Sequence, residues 1–174
     1  MGTKIGGGME FIASSGELSS AASASFTGFD ASKYDNYVFY LNYVKPANDN
    51  QRLYAYASVN GGTSYDETSG NYHMNGASDT AGFNINHQVT AGNDTNEYGL
   101  SGQFRIIKPS ASAYTMAQSY VGVFHINEYV YNAAAGDYIP SYFLNTAAVN
   151  AIQFKFASGN IASGEITMFG IVNS

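Results

Sequence analysis

The sequence predicts an all-β protein: an antiparallel β-sandwich, jelly-roll-like, of about eight to ten short strands, with a short Gly-rich arm at its N-terminus. Three observations predict it. Apolar residues alternate with polar ones at period two along most of the chain. Clusters of Gly, Asn and Ser punctuate the alternating runs. No segment carries the i, i+3, i+4, i+7 stripe of an amphipathic helix over three turns. With 174 residues the chain is the size of one domain, long enough to bury a core without disulfide or metal staples.

The elements follow in chain order. Met1 to Gly8 closes on Gly6-Gly7-Gly8 and reads as an attachment arm, and residues 9–174 read as one sandwich domain. Asn36 to Lys45 places Tyr37, Phe39, Leu41 and Tyr43 on one face and Val38, Tyr40 and Val44 on the other, a strand covered on both sides and closed by Pro46. Ala47-Asn48-Asp49-Asn50 is turn chemistry, and Gln51 to Val59 alternates again, so the two runs are expected to form a hairpin. Asn60-Gly61-Gly62 turns the chain into a long polar loop over 63–82, with one short strand near Tyr72. Phe83, Ile85, His87 and Val89 predict a further strand, and 91–97 a loop. Tyr98 to Lys108 is the clearest amphipathic strand, with Leu100, Phe104 and Ile106 inward. Tyr114 to Ile126 predicts one strand or a bulged pair around Gly122, 132–140 a second large loop, and Ile152, Phe154 and Phe156 an inward-facing row. Glu165 to Val172 closes the fold.

Composition narrows the chemistry. Charged residues are 11% of the chain and the net charge is −6, which excludes the basic face of a duplex nucleic-acid binder. Solubility rests instead on 17 Asn, 19 Ser and 10 Thr. The absence of Cys excludes disulfide scaffolds, thiolate metal sites and Cys nucleophiles. No apolar run is long enough to span a membrane as a helix. No P-loop, dinucleotide fingerprint, HExxH or GxSxG elbow occurs. His73 reads as an exposed loop residue, and His87 and His125 sit in strands with no converging ligand set, Glu128 three residues after His125 being too little alone, so no metal and no cofactor is expected. Asn93, Asp94, Asn96 and Glu97 offer oxygen ligands of the kind Ca²⁺ takes, but without the spacing and glycine of an EF-hand they read as an acidic turn. The acids nominate no facing pair for glycoside hydrolysis, and the protein is read as not an enzyme.

What remains is a loop surface rich in Tyr, Asn and Asp, which supplies rigid aromatic area and directional hydrogen bonds suited to glycan or protein surfaces. The candidates are Tyr65, Tyr72 and His73 in the first long loop, Asp94, Asn96 and Tyr98 in the second, and Tyr129, Tyr131, Asp137 and Tyr138 in the third. Lys4, Ile5, Gly6, Gly7 and Gly8 are the candidate attachment residues of the arm.

Three stretches carry a resemblance: SFTGFDASKYDNYVFYL from Ser25 to Leu41, NGGTSYD from Asn60 to Asp66, and GNIASGEITMFGIV from Gly159 to Val172. In this order they resemble the β-sandwich virion modules of tailed, often marine, bacteriophages, described as tail-fibre, receptor-binding or uncharacterised structural proteins. The last stretch, in which Gly159, Gly164 and Gly170 frame the final strand, is the most specific part; members usually carry Leu-Tyr where this chain has Met168-Phe169. The resemblance implies a virion location, on the particle surface after assembly in the host cytoplasm, and transfers no catalytic residue. It also implies a homotrimer, which the two-faced strand Tyr37–Val44 would serve as a covered surface. Only eight residues precede the sandwich, so the expectation is a knob that docks on other virion proteins by its arm and meets a host polysaccharide or protein through its loops. A capsid decoration or head-fibre protein is the alternative, followed by a carbohydrate-active enzyme or lectin.

Overall fold

The computed structural model describes residues 8–74, 77–87, 89–125, 128–131 and 139–172. Two antiparallel sheets pack face to face, as the alternation predicts, but they are unequal. The large one runs β1 (Met9–Ser14), β14 (Ile161–Val172), β4 (Tyr34–Pro46), β9 (Leu100–Ile107), β10 (Thr115–His125), β12 (Ile139–Phe143), β6 (Tyr72–Met74) and β7 (Ala77–Thr80). Two short strands extend it: β2 (Leu18–Ala21) pairs with β14, and β11 (Glu128–Tyr131) pairs with β10. The small sheet runs β3 (Ala24–Phe26), β13 (Ala151–Phe156), β5 (Leu53–Ser58) and β8 (Phe83–Asn84). The described residues thus hold fourteen strands against the eight to ten expected, because pieces of three or four residues such as β2, β3 and β7 are too short for periodicity to reveal.

The core lies between the sheets and is aromatic. Phe39 of β4 sits 5.4 Å from Phe26 and 5.2 Å from Phe154, both edge to face. Phe104 meets Phe154 at 90°, the crossed geometry that ring quadrupoles favour. Leu100, Phe104 and Ile106 of β9 and Ile152, Phe154 and Phe156 of β13 are all buried, on the faces the alternation assigns them.

The expected hairpin does not form. β4 pairs with β14 and β9 in the large sheet, while β5 pairs with β13 and β8 in the small one. The 47–52 connection therefore crosses between sheets, held by Ala47 N–H to the Asn160 carbonyl and by reciprocal backbone bonds between Gln51 and Ala91. Alternation reports which face of a strand is buried and nothing about its neighbour, so it reads equally well for either pairing.

One further expectation shifts, and an open one is resolved. The run from Phe83 to Val89 stays a strand only over Phe83–Asn84; then the buried Asn86 side chain takes over, accepting from Leu53 N–H and donating to the Gln51 and Val89 carbonyls. Of the two forms open for 114–126, a single strand holds, with Gly122 in an unbroken ladder, and a bulge of the large sheet falls in β4. Leu41 faces Gly102 and Val44 faces Leu100, so three steps along β4 match two along β9. Against β14, Asn42 faces Glu165 and Lys45 faces Ser163, the same excess. Tyr43 takes the extra position at φ 50°, its N–H donating to Ser101 Oγ at 2.9 Å. Past the bulge the inward phase changes, so Val44 is buried and Tyr43 faces out. Gly99 and Gly164, both at positive φ, lie against the bulged backbone, where a Cβ would strike Val44 or Tyr43.

Candidate functional site

The bulge builds the most distinctive surface of the molecule. It turns Tyr43 outward at the end of the large sheet where β9 begins, and the loop before β9 brings Tyr98 to it. Their rings meet edge to face at 5.8 Å, and they are 64% and 60% exposed. Rings so open to water belong to a surface and not to the core. Asp94 and Asn96 lie in the same loop with exposed side chains.

The loop carrying these residues is closely tied. Lys45 Nζ donates to the Asp94 carbonyl at 2.8 Å, and Asn93 Nδ2 donates to the Ala47 carbonyl at 2.7 Å. Glu97, buried at 1% exposure, turns its carboxylate inward to accept from Asp94 N–H at 2.8 Å while its own N–H donates to the Asp94 carbonyl. Gly92 packs so closely on that carboxylate that a side chain there has no room. The two bonds between Asp94 and Glu97 close the turn on itself and hold it. The exposed groups are therefore presented on a fixed frame: two rings, a carboxylate and an amide. This set stacks on and hydrogen-bonds to an apolar or hydroxyl-rich surface.

The remaining candidates do not converge on it. Tyr65 lies near the opposite end, lining a cleft of about 270 Å³ with Ser58, Ser64, Asp66, Thr68 and Asn145. There the Asp66 carboxylate is occupied by Thr68 N–H and Asn71 Nδ2, and Glu67 is paired with Lys155 at 2.8 Å. Tyr72 is not a surface residue at all. It is buried, stacked on Phe143 at 4.8 Å, donating to the Asp66 carbonyl and accepting from Ala57 N–H. Burial pushes its phenol well above the ordinary tyrosine range. As an inward position of β6 it contacts the core and no partner. His73, the next residue, points to the outer face of the large sheet opposite Tyr142 and is exposed. Tyr129 and Tyr131 are placed as backbone positions of β11 opposite Phe124 and Gly122. Their side chains, together with Asp137, Tyr138 and the arm residues Lys4, Ile5, Gly6 and Gly7, lie outside the described residues. Gly8 is described, and its carbonyl accepts from Val172 N–H at 3.0 Å.

Tyr43 is the functional candidate that sequence reasoning missed, since simple alternation puts it inward. The signal for it is indirect: Gly99, Gly102 and Gly164, on or beside the flanking strands and each at positive φ, leave room for irregular backbone next to them. Among the described residues no three His, Asp or Glu side chains gather to hold a metal ion. The His87 imidazole is held below its ordinary value chiefly by desolvation and then by Arg52, as an isolated group would be.

No family model, curated protein or solved structure matches the chain.

Proposed function

We propose that the chain is a non-enzymatic structural protein of a tailed-phage virion, a tail-fibre or receptor-binding knob that works as a homotrimer. It docks on other virion proteins through the segment leading into β1 and meets the host surface with its loops. The sequence resemblance supplies the virion context. One structural observation carries the polarity: the chain enters β1 at one end of the large sheet, and the Tyr43–Tyr98 pair stands at the other. Met9, Ile171 and Asn36 share a register row at the entry end, and Tyr43 lies further along β4. At the rise of an extended strand that stretch covers roughly 20 Å. A knob that is anchored at one end and binds with the other needs this separation. The ligand class suited to the exposed pair, with Asp94 and Asn96 beside it, is a hydroxyl-rich polysaccharide or a polar protein surface.

Labelled antibody against the protein, applied to intact virions, tests the reading. Label at the tail supports it. Label on the head replaces it with a capsid decoration protein, and particles without label overturn it.

A further inference from the structure

We infer that the outer face of the large sheet is where copies of this chain bury one another, a deepening that rests on the homo-oligomer part of the reading above. The face is laid out by the ladder registers. One row reads Met9, Ile171, Asn36, Ile107, Met116 and Tyr142; the next reads Phe11, Phe169, Val38, Arg105, Gln118 and Pro140; a third reads Ser14, Thr167, Tyr40, Gln103 and Tyr120. Nine of the twelve positions in the first two rows, across six strands, are apolar; Asn36, Arg105 and Gln118 are the exceptions. Phe11 stands 61% exposed, Met9 46%, and Tyr142 and Tyr120 41% each. Of the nine exposed large hydrophobic side chains among the described residues, five (Met9, Phe11, Tyr40, Tyr120 and Tyr142) lie on this one face. Single exposed apolar residues are ordinary, whereas a contiguous band of them marks an interaction surface.

The occupant follows from shape, charge and size. Phe169 makes edge contacts with Phe11 at 5.9 Å and Tyr40 at 5.6 Å, the latter at 88°. The rings are thus crossed, not laid out as the flat platform a sugar ring stacks on, and the Met, Ile and Phe around them suit a protein. Within these rows the one charge among the described residues is Arg105; Asp35 directly precedes Asn36 of the first row, and Glu165 lies a row beyond Thr167, bonded to Ser14. For a chain of net charge −6, a surface whose rows carry no carboxylate is where two copies repel one another least. Six strands by three rows cover roughly 600 Å² in projection, and side-chain relief carries the accessible area toward the ~800 Å² per partner of a standard interface.

Sedimentation equilibrium at micromolar concentration tests the inference on the intact chain and on Phe11→Asp/Tyr142→Asp, which places two carboxylates on exposed positions of the face. The expected result is a mass that is a multiple of 18.6 kDa for the unmodified protein and the monomer mass for the variant, with both melting cooperatively. Val59→Asp, an exposed change away from this face, should leave the oligomer intact. A monomeric unmodified protein, or a double variant that keeps its oligomer, overturns the inference. Because virion labelling is read separately, a monomer found at the tail would sink this interface while leaving the receptor-binding reading standing.

Discussion

The two faces of the large sheet are made of the same kinds of residue and do different things. Its inner face buries Tyr37, Phe39, Leu41, Phe104 and Ile106 against the small sheet. Its outer face presents Phe11, Tyr40, Tyr120 and Tyr142 to the outside. Along β4 the two sets interleave residue by residue, so hydrophobicity alone cannot separate a core from a surface that awaits a partner. The separation comes from the second sheet: among the described residues, only one face has another layer over it. What is asked of each residue then differs, since an inner ring must fit its neighbours at crystal-like density while an outer one need only be available.

The largest expected effect exploits that difference. Phe104→Ala or Phe154→Ala removes a ring that touches several others in the core and should cost ~3–5 kcal/mol, whereas Phe11→Ala should cost the monomer less than ~1 kcal/mol. Urea unfolding of the three variants measures it. Equal costs on both faces, measured at a dilution where every variant is a monomer, would mean that the outer face is already buried within one chain, and a cost below ~1 kcal/mol at Phe154 would mean that the strand register is wrong.

The same contrast has a pH signature. Burial raises the phenols of Tyr37 and Tyr56 to about 12 and that of Tyr72 further, and each stays neutral in the fold. In the unfolded chain the same groups ionise near pH ~10. Below ~10 both states hold these protons, and the stability they contribute is complete. As pH rises past ~10 the unfolded chain binds fewer protons than the fold, so stability declines until the folded phenols ionise in turn. The melting temperature should therefore drop between pH ~9 and ~11, and the drop should shrink in Tyr56→Phe, whose ring remains but whose proton is gone. A melting temperature that is flat across this range would show that these phenols ionise without leaving the core.

How much of this is legible in the sequence depends on what each signal measures. Period-two alternation places Leu100, Phe104, Ile106, Ile152, Phe154 and Phe156 on the buried side, because burial on one face is the quantity it reports. It cannot assign Asn36–Lys45 and Gln51–Val59 to different sheets, because pairing depends on contacts between segments far apart in the chain, such as β4 with β14. It misplaces Tyr43 for a local reason: a single inserted residue reverses the phase, and Leu41-Asn42-Tyr43-Val44 alternates acceptably in either phase. A short strand near Tyr72 is legible, but the polar stretch around it hides that Tyr72 itself faces the core. The candidate site is thus half visible. Composition names Asp94, Asn96 and Tyr98, while their companion arrives through backbone irregularity.

The smallest expected effect concerns that pair. Tyr43 and Tyr98 meet on the surface, so Tyr43→Ala and Tyr98→Ala should each change stability by about 0.5 kcal/mol or less, as surface substitutions do. Their edge-to-face contact should appear as a coupling of about 0.5 kcal/mol in a double-mutant cycle, the low end for aromatic pairs because water surrounds both rings. Adsorption to host cells should respond far more strongly than stability, each single change reducing it and the double change abolishing it. Were the pair instead a strut that fixes the bulge, the double variant would lose more than about 1 kcal/mol and binding would fall only in proportion to the unfolded fraction. A stable fold without adsorption and a failing fold are different results, and the first is what separates a surface built for contact from one built for support.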